Sequence, residues 1–263
     1  MHRLHFQAAY TSLLLEQSLC ETPRTDDKNM AVVECRMRSL VDDFDAVVAS
    51  RKAVRAFAST PVSRALIDEI IDVARLAPSN SNTQPWSVHV LTGEPRRALS
   101  TLLASAHADP QAEPLQHLPD DLAQKYRDRQ EQFGTLFYGL QRIEKGDREG
   151  RARVSGLNFE FFGAPVGLIF TIDTNLKKYS WLDYGLFLQT LMLAARARGL
   201  STCPQVSFAR FQVLIQDFLQ LDGDQEIVCG MSLGYADDTA PVNALDMPRE
   251  SSRAFTRFLG FDQ

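Results

Sequence analysis

Arg51, Lys52 and Arg55 gather three cations in one short stretch, SRKAVRAF at 50–57. A guanidinium fork grips a phosphate through two parallel N–H···O bonds, and each charge-assisted bond of that kind contributes about 1.5–3 kcal/mol. Alone, such a cluster reads first as a solvated basic patch. A second segment changes the balance. Between Pro78 and Pro85 lie Ser79, Asn80, Ser81, Asn82, Thr83 and Gln84, with Trp86 directly after. Short amides and hydroxyls at that density suit the polar edge of a ligand, and they suit equally a loop that caps itself. Absences narrow the chemistry further. No GxGxxG motif follows a strand, and there is no GxxxxGK[ST] loop and no GxSxG elbow. His2, His5, His89, His107 and His117 form no HExxH and no close ligand cluster. His89, alone within an expected strand, reads as a structural histidine.

Apolar residues at 44% and charged residues at 23% are ordinary globular composition and exclude widespread disorder. A net charge of −5 argues against general affinity for nucleic acid or an anionic membrane, while leaving room for a local phosphate pocket. Cys20, Cys35, Cys203 and Cys229 lie far apart, with no CxxC pair, as expected of reduced thiols in a cytoplasmic protein. The apolar run at Leu13–Leu15 is broken by Glu16 and is too short for a membrane span or a secretory signal. Residues 21–29 are polar and turn-prone, and Met30 or Met37 offers an alternative start of translation. Residues 1–38 are therefore expected to be a variable extension without catalytic importance, and residues 39–263 one α+β domain.

The elements that must position the cations and the polar loop follow from periodicity. Leu40, Phe44, Val47 and Val48 are spaced for a helix from about Ser39 to the basic stretch. Ser63 can cap a second helix, whose apolar face is Leu66, Ile67, Ile70, Ile71 and Ala74. Ser87–Leu91 reads as a strand. The continuous apolar runs Val166–Ile172 and Ile227–Leu233 read as strands covered on both faces. Trp181–Arg198 is apolar nearly all round, which predicts a central helix buried in its own core or against a second subunit, ended by Gly199. The stretch from about Ala98 to Arg153 is the least regular. It includes a charged helical run from Asp120 to about Arg142, read with equal weight as a surface excursion or as a cap over a pocket.

SRKAVRAF at 50–57 and LAPSNSNTQPW at 76–86 resemble the two N-terminal motifs of the nitroreductase family. FFGAPVGLIF at 161–170, the LxTCPQ segment at 200–205, and VCGMSLGYAD…PVN…R over 228–249 continue the resemblance in the family's order. The FFGAPV and TCPQ stretches look most like a subgroup acting on nitroaromatic acids such as nitrobenzoates.

The resemblance implies a nitroreductase-like flavin-binding fold, a central sheet flanked by helices, in an intertwined homodimer with FMN at the subunit interface. It implies NADH or NADPH as electron donor, hydride transfer through flavin N5 in ping-pong turnover, and a small aromatic acceptor, nitroaromatic or quinone. It places Arg51 and Lys52 at the FMN phosphate, and Arg55 beside N1 and O2 of the ring, where it tunes the flavin. Pro78, Ser79, Asn80 and Asn82 fall in a loop reaching the flavin of the partner subunit. Pro204, Gln205, Val206 and Ser207 lie against the ring, and Arg249 is a C-terminal phosphate contact. Ala53 departs from the family's usual hydroxyl-bearing residue, so one side-chain contact to the cofactor is expected to be lost. Asn158 corresponds, within one residue, to an Asn at the pyrimidine edge. Tyr126 and Phe133 are the substrate-facing candidates within the excursion. No side chain is expected to serve as an obligatory acid or base, because the cofactor carries the electrons. Other flavin reactions on this fold, dehalogenation or azoline or peptide dehydrogenation, and a non-catalytic flavin-binding protein are the competing readings.

Overall fold

The computed structural model describes residues 27–109 and 118–261. Its contacts divide the chain into two units, Met1–Val48 and Ala49–Gln263. Along the chain run α1 (Asp27–Ser50), α2 (Arg64–Ala74), β1 (Ser87–Thr92), α3 (Gly93–Ala108), α4 (Gln124–Leu140), α5 (Arg148–Gly156), β2 (Val166–Asp173), α6 (Lys178–Ala197), β3 (Ser201–Gln205), α7 (Gln212–Leu219) and β4 (Gln225–Gly234). Helix α1 begins well before Ser39, where the apolar spacing starts, and stops at the basic stretch as expected. Its Leu40, Val41, Phe44 and Val48 are exposed.

The second unit is built on an antiparallel sheet in the order β1-β2-β4-β3. The two continuous apolar runs hold its two interior positions, and side chains alternate between two cores because successive Cβ atoms point to opposite faces. Leu168, Phe170 and Ile172 pack with α2 and α6 through Ile67, Ile70, Tyr184, Phe187 and Leu191. Ile169, Leu91 and Ile227 pack on the other face against Leu99 and Leu103 of α3 and Ile215 of α7. Ser63 caps α2 as its spacing predicts, its Oγ accepting the Leu66 N–H at 3.2 Å. Gly199, at φ +76°, follows the end of α6 in the left-handed conformation. Helix α6 is buried in its own core along one side only. Tyr184, Phe187 and Leu191 are buried in the core, while Trp181, Leu182 and Leu186 on its other side are exposed.

One expectation needs correction, and two elements went unread. The region after Ala98 is not irregular, because α3 continues to Ala108 with Leu99 and Leu103 fully buried. Pro110 and Pro114 lie outside the described residues, and the excursion proper is α4 and α5. Strand β3 was not legible, since its sequence STCPQ is short and contains proline. It is an edge strand, where proline's missing N–H costs no ladder bond. Helix α7 also went unread.

Two glycines shape the approach to the site. A Cβ on Gly167 would lie 2.5 Å from the Phe161 ring, and one on Gly230 would lie 2.6 Å from the Phe208 ring. These bare positions on adjacent strands bed two phenylalanines whose ring centroids are 4.9 Å apart. Phe208 in turn fixes the turn that leaves β3 at Gln205.

His89 is structural, as its isolation suggests. Its Nε2 lies 3.4 Å from Thr171 Oγ1, and burial holds its pKa below the usual histidine value. A histidine depressed in the folded state stabilises above its unfolded pKa of about 6.5, and that contribution is lost as pH falls below it. Thermal melts of wild type and His89→Gln should therefore diverge least at low pH and most at neutral pH; parallel melting temperatures across pH 5–8 (about the window in which histidine titrates) would contradict this. Cys203 and Cys229 are free and buried, with thiols pushed up to about 11 and about 12 by burial. Cys20 lies outside the described residues.

Candidate active site

The basic stretch and the TCPQ segment, far apart in sequence, are hydrogen-bonded neighbours. Ala53 pairs with Thr202 in a parallel bridge, and the Val54 N–H donates to the Thr202 carbonyl at 3.1 Å. Further on, Phe57 bridges to Ala236, and the Ala58 N–H donates to Tyr235 O at 2.9 Å. Residues 53–58 thus span from the edge strand β3 to the end of β4, and the parallel register carries the stretch along β3 so that Arg55 comes level with Pro204. Proximity shows in the Cys203 thiol, where the Arg55 charge pulls down against the stronger effect of burial.

Asn243, in the PVN motif, holds this segment in shape. Its Oδ1 accepts the Arg55 N–H at 2.8 Å, and its Nδ2 donates to Ala56 O at 2.8 Å and Asp237 O at 2.9 Å. The Lys52 ammonium donates to its backbone carbonyl. The sequence offered a signal for it, an Asn within a quoted motif, but no side chain there could be assigned a partner without the fold.

Arg55 is steered by aromatic rings of the excursion. Its guanidinium carbon lies 4.9 Å from the Phe137 ring centroid and 5.5 Å from that of Phe133, a cation–π arrangement that fixes a planar side chain without removing its charge. Phe137 is buried with Ile143, Val154 and Leu245 in a small core of its own, so α4 is anchored there. Of the two substrate-facing candidates, Phe133 is thus brought to Arg55. Tyr126 lies in the first turn of α4, half exposed, with Lys125 and Arg129 over its ring.

Gln205 is turned inward and fully engaged. Its Nε2 donates to Asn158 O at 2.7 Å, and its Oε1 accepts from Ser232 Oγ at 2.9 Å. The residue is buried at 3% exposure, and its neighbours Pro204 and Val206 are exposed. Asn158 is accordingly a strut between the segment before β2 and the end of β3. The Ser207 Oγ is buried with no hydrogen-bond partner, and Arg51, half exposed, forms no ion pair among the described residues. An unneutralised guanidinium, an exposed lysine and an unpartnered hydroxyl at Ser207 are polar groups that a phosphorylated heterocycle can engage, so these residues fit FMN.

The loop after α2 does cap itself, and it still exposes its amides. The Gln84 N–H donates to Ser79 Oγ at 3.0 Å, while Pro78, Asn80 and Asn82 are exposed. Ser81, Asn82 and Gln84 adopt φ of +52°, +56° and +48°, conformations that cost non-glycine residues about 1–3 kcal/mol each and persist only under outside restraint. Two restraints come from α6: Asp183 accepts the Asn80 N–H at 3.1 Å, and Phe187 stacks on Trp86 at 4.7 Å. Asp183 was not foreseen, because a carboxylate in an apolar helix carries no sequence mark of its partner. Arg249 is exposed, donating to Met247 O and Pro248 O at 3.0 and 3.2 Å. The next residue, Glu250, pairs with Arg129 of α4 at 3.0 Å.

Comparison with known proteins agrees with this geometry. Residues 48–235 match the model of the nitroreductase family. The chain is similar to a 4-nitrobenzoate reductase of Pseudomonas putida, 77% identical over 227 residues, which cover 86% of this chain and 100% of the relative. It is also similar to a nitrobenzene nitroreductase of Ectopseudomonas oleovorans, 39% identical over 82% of this chain and 96% of the relative. Among solved structures, the FMN-dependent nitroreductase NfnB from Mycobacterium smegmatis in complex with NADPH superposes with a TM-score of 0.80 at 31% identity, covering 84% of this chain and 99% of that one. The chain belongs to the nitroreductase family.

Proposed function

We propose that this chain is an FMN-dependent oxidoreductase that takes electrons from NADH or NADPH and delivers them to nitroaromatic acceptors, aromatic acids such as 4-nitrobenzoate among them. The observation that carries the reading is the hydrogen-bonded junction of the Arg51–Arg55 stretch with β3 at Thr202, which ties the cationic segment to the strand that leads into residues 204–207. The names of the relatives point the same way. FMN, when bound, supplies acceptance and donation of hydride. The protein's contribution is to bind and tune. Arg51 and Lys52, with Arg249, suit the phosphate; Arg55 suits the edge of the ring where negative charge develops on reduction, a preorganised electrostatic role. Backbone at 204–207 lies where the ring is held. No proton-transferring side chain is required.

The functional unit is a homodimer in this reading. Exposed Trp181, Leu182 and Leu186 on α6, and Phe255, Phe258, Leu259 and Phe261 near the C-terminus, are large apolar side chains of the kind a partner subunit covers. The exposed amides of Asn80 and Asn82 would then serve the partner's site. Residues 1–38 act as a dispensable extension to the domain at 39–263, since the 77% identical relative is matched over its whole length by 227 residues of this chain. Buried free thiols suit a cytoplasmic setting, and no helix among the described residues is long and apolar enough to cross a membrane.

The purified protein is expected to be yellow, with one FMN per subunit, to bleach anaerobically with NADH or NADPH, and to regain its colour on adding 4-nitrobenzoate. Colourless protein that also ignores added FMN would end the proposal. Bound flavin that neither nucleotide bleaches would make this a flavin-binding protein without the activity.

A further inference from the structure

The excursion carries an open cleft of about 740 Å³, which shares only Phe133 with the roles above. One wall is the face of α4 carrying Phe133, Gly134, Tyr138 and Gly139; Arg127 and Arg151 stand over it. Gly134 and Gly139 lie inside the helix at ordinary helical φ, and a Cβ on either would meet nothing within 4 Å. Neither conformation nor crowding demands glycine there. Each interior glycine costs a helix about 1 kcal/mol relative to alanine, and what the two supply in return is room along the cavity wall.

The charges of the cavity are unbalanced. Lys145 is matched by Glu131 at 2.7 Å. Among the described residues the Arg127 side chain donates only to the neutral Gln124 amide oxygen, at 3.2 and 3.3 Å. Arg151 lies with its guanidinium carbon 4.3 Å from the Tyr138 ring centroid, forms no ion pair among the described residues, and keeps its Nε buried without a hydrogen-bond partner. A buried N–H with no acceptor is an unmet demand, and a guanidinium set over a ring without a carboxylate partner keeps its charge available for a bidentate carboxylate. We infer that this cavity is the subsite for the carboxylate of an aromatic acid, bound by Arg151 with support from Arg127, the acid's ring lying along Phe133 and Tyr138. Phe133 is the link to chemistry, since its ring also lies under Arg55. As the acceptor's position, the inference rests on the proposed nitroaromatic reduction; as an anion site it does not.

The test uses FMN-loaded protein, wild type and the variants Arg151→Met, Arg151→Lys and Gly139→Leu, each checked for flavin content. Calorimetric titration with benzoate and with benzamide reads the site without turnover. The benzoate affinity should fall about tenfold or more in Arg151→Met, as loss of one charge-assisted pair implies. Arg151→Lys should recover part of it, and Gly139→Leu should weaken benzoate and benzamide together by filling the space. In turnover, the ratio of kcat/KM for 4-nitrobenzoate over 4-nitrobenzamide should drop by a similar factor in Arg151→Met. An unchanged benzoate affinity, or an acid-to-amide ratio that stays constant, would overturn the assignment even if the enzyme reduces both compounds. Benzoate binding that depends on Arg151 in a protein that reduces neither would sink the function and leave the subsite standing.

Discussion

Asn243→Ala should destabilise the protein by about 3 kcal/mol and strip it of bound flavin, because it removes three buried side-chain hydrogen bonds and leaves their backbone partners unmatched. The Asn243 side chain is nearly fully buried, at 7% exposure, and it joins three places in one step: the Arg55 N–H, the Ala56 carbonyl and the Asp237 carbonyl. Alanine cannot replace either the acceptor or the donors, and the site is too enclosed for bulk water to substitute freely. The functional loss follows from the same geometry. Residues 51–55 are held on one side by Thr202 and on the other by Asn243, so releasing one side frees the Arg51 and Arg55 side chains from fixed positions. A preorganised cation loses most of its value once it must be ordered at the moment of binding. Urea unfolding of the apoprotein measures the first effect, and flavin retained through gel filtration measures the second. Asn243→Asp separates them further: it keeps the acceptor for Arg55 but cannot donate to Ala56 O or Asp237 O, so it should fall between wild type and alanine in flavin retention. A stability loss below about 1 kcal/mol in Asn243→Ala, the worth of one ordinary hydrogen bond, would show that this residue does not organise the segment.

Periodicity located α2, α6 and the two interior strands, because burial on one or both faces imprints directly on residue type at spacings of 3.6 and 2. The cationic stretch and the polar loop were visible as composition, and their family resemblance assigned them to one cofactor. Position was another matter. That Arg51–Arg55 lies alongside β3 depends on a single bridge to a short, proline-bearing edge strand, which has no periodic signature. Asn243 and Asp183 work through backbone groups 188 and 103 positions away in sequence, and a side chain that recognises backbone carries no mark of which backbone it recognises. Gln205 shows the converse. Its place in the motif was legible, but its inward turn toward Asn158 and Ser232 was not, since an amide side chain at the end of a strand is equally at home in solvent. The excursion was half legible: charge marked off its first helix, while the apolar contact of Phe137 with Ile143, Val154 and Leu245 that fixes it is too sparse to stand out.

At saturating FMN, Arg55→Ala should slow anaerobic reduction by NADH or NADPH about tenfold, while Arg51→Ala, equally loaded, should reduce at close to the wild-type rate. The two arginines are four positions apart and differ in surroundings. Arg51 is half exposed with no carboxylate partner among the described residues, as suits a phosphate contact whose energy is the same before and after the chemistry. Losing it removes uniform binding, which excess cofactor restores. Arg55 is wedged against Phe133 and Phe137 with its backbone tied to Asn243, so its charge is fixed in direction before any reaction begins. A cation at the edge where negative charge grows stabilises the reduced state more than the oxidised one, and an interaction worth about 1.4 kcal/mol more in the transition state is a tenfold rate. Arg55→Lys tests the division of labour within the side chain. It retains the charge and loses the planar face that rests on the rings, so it should recover part of the rate in reduction and show altered acceptor preference through a less well held Phe133. Stopped-flow bleaching of the three variants, each with flavin content confirmed by absorbance, decides the assignment. A fully loaded Arg51→Ala protein that fails to bleach, beside an Arg55→Ala protein that bleaches normally, would reverse the roles of the two residues.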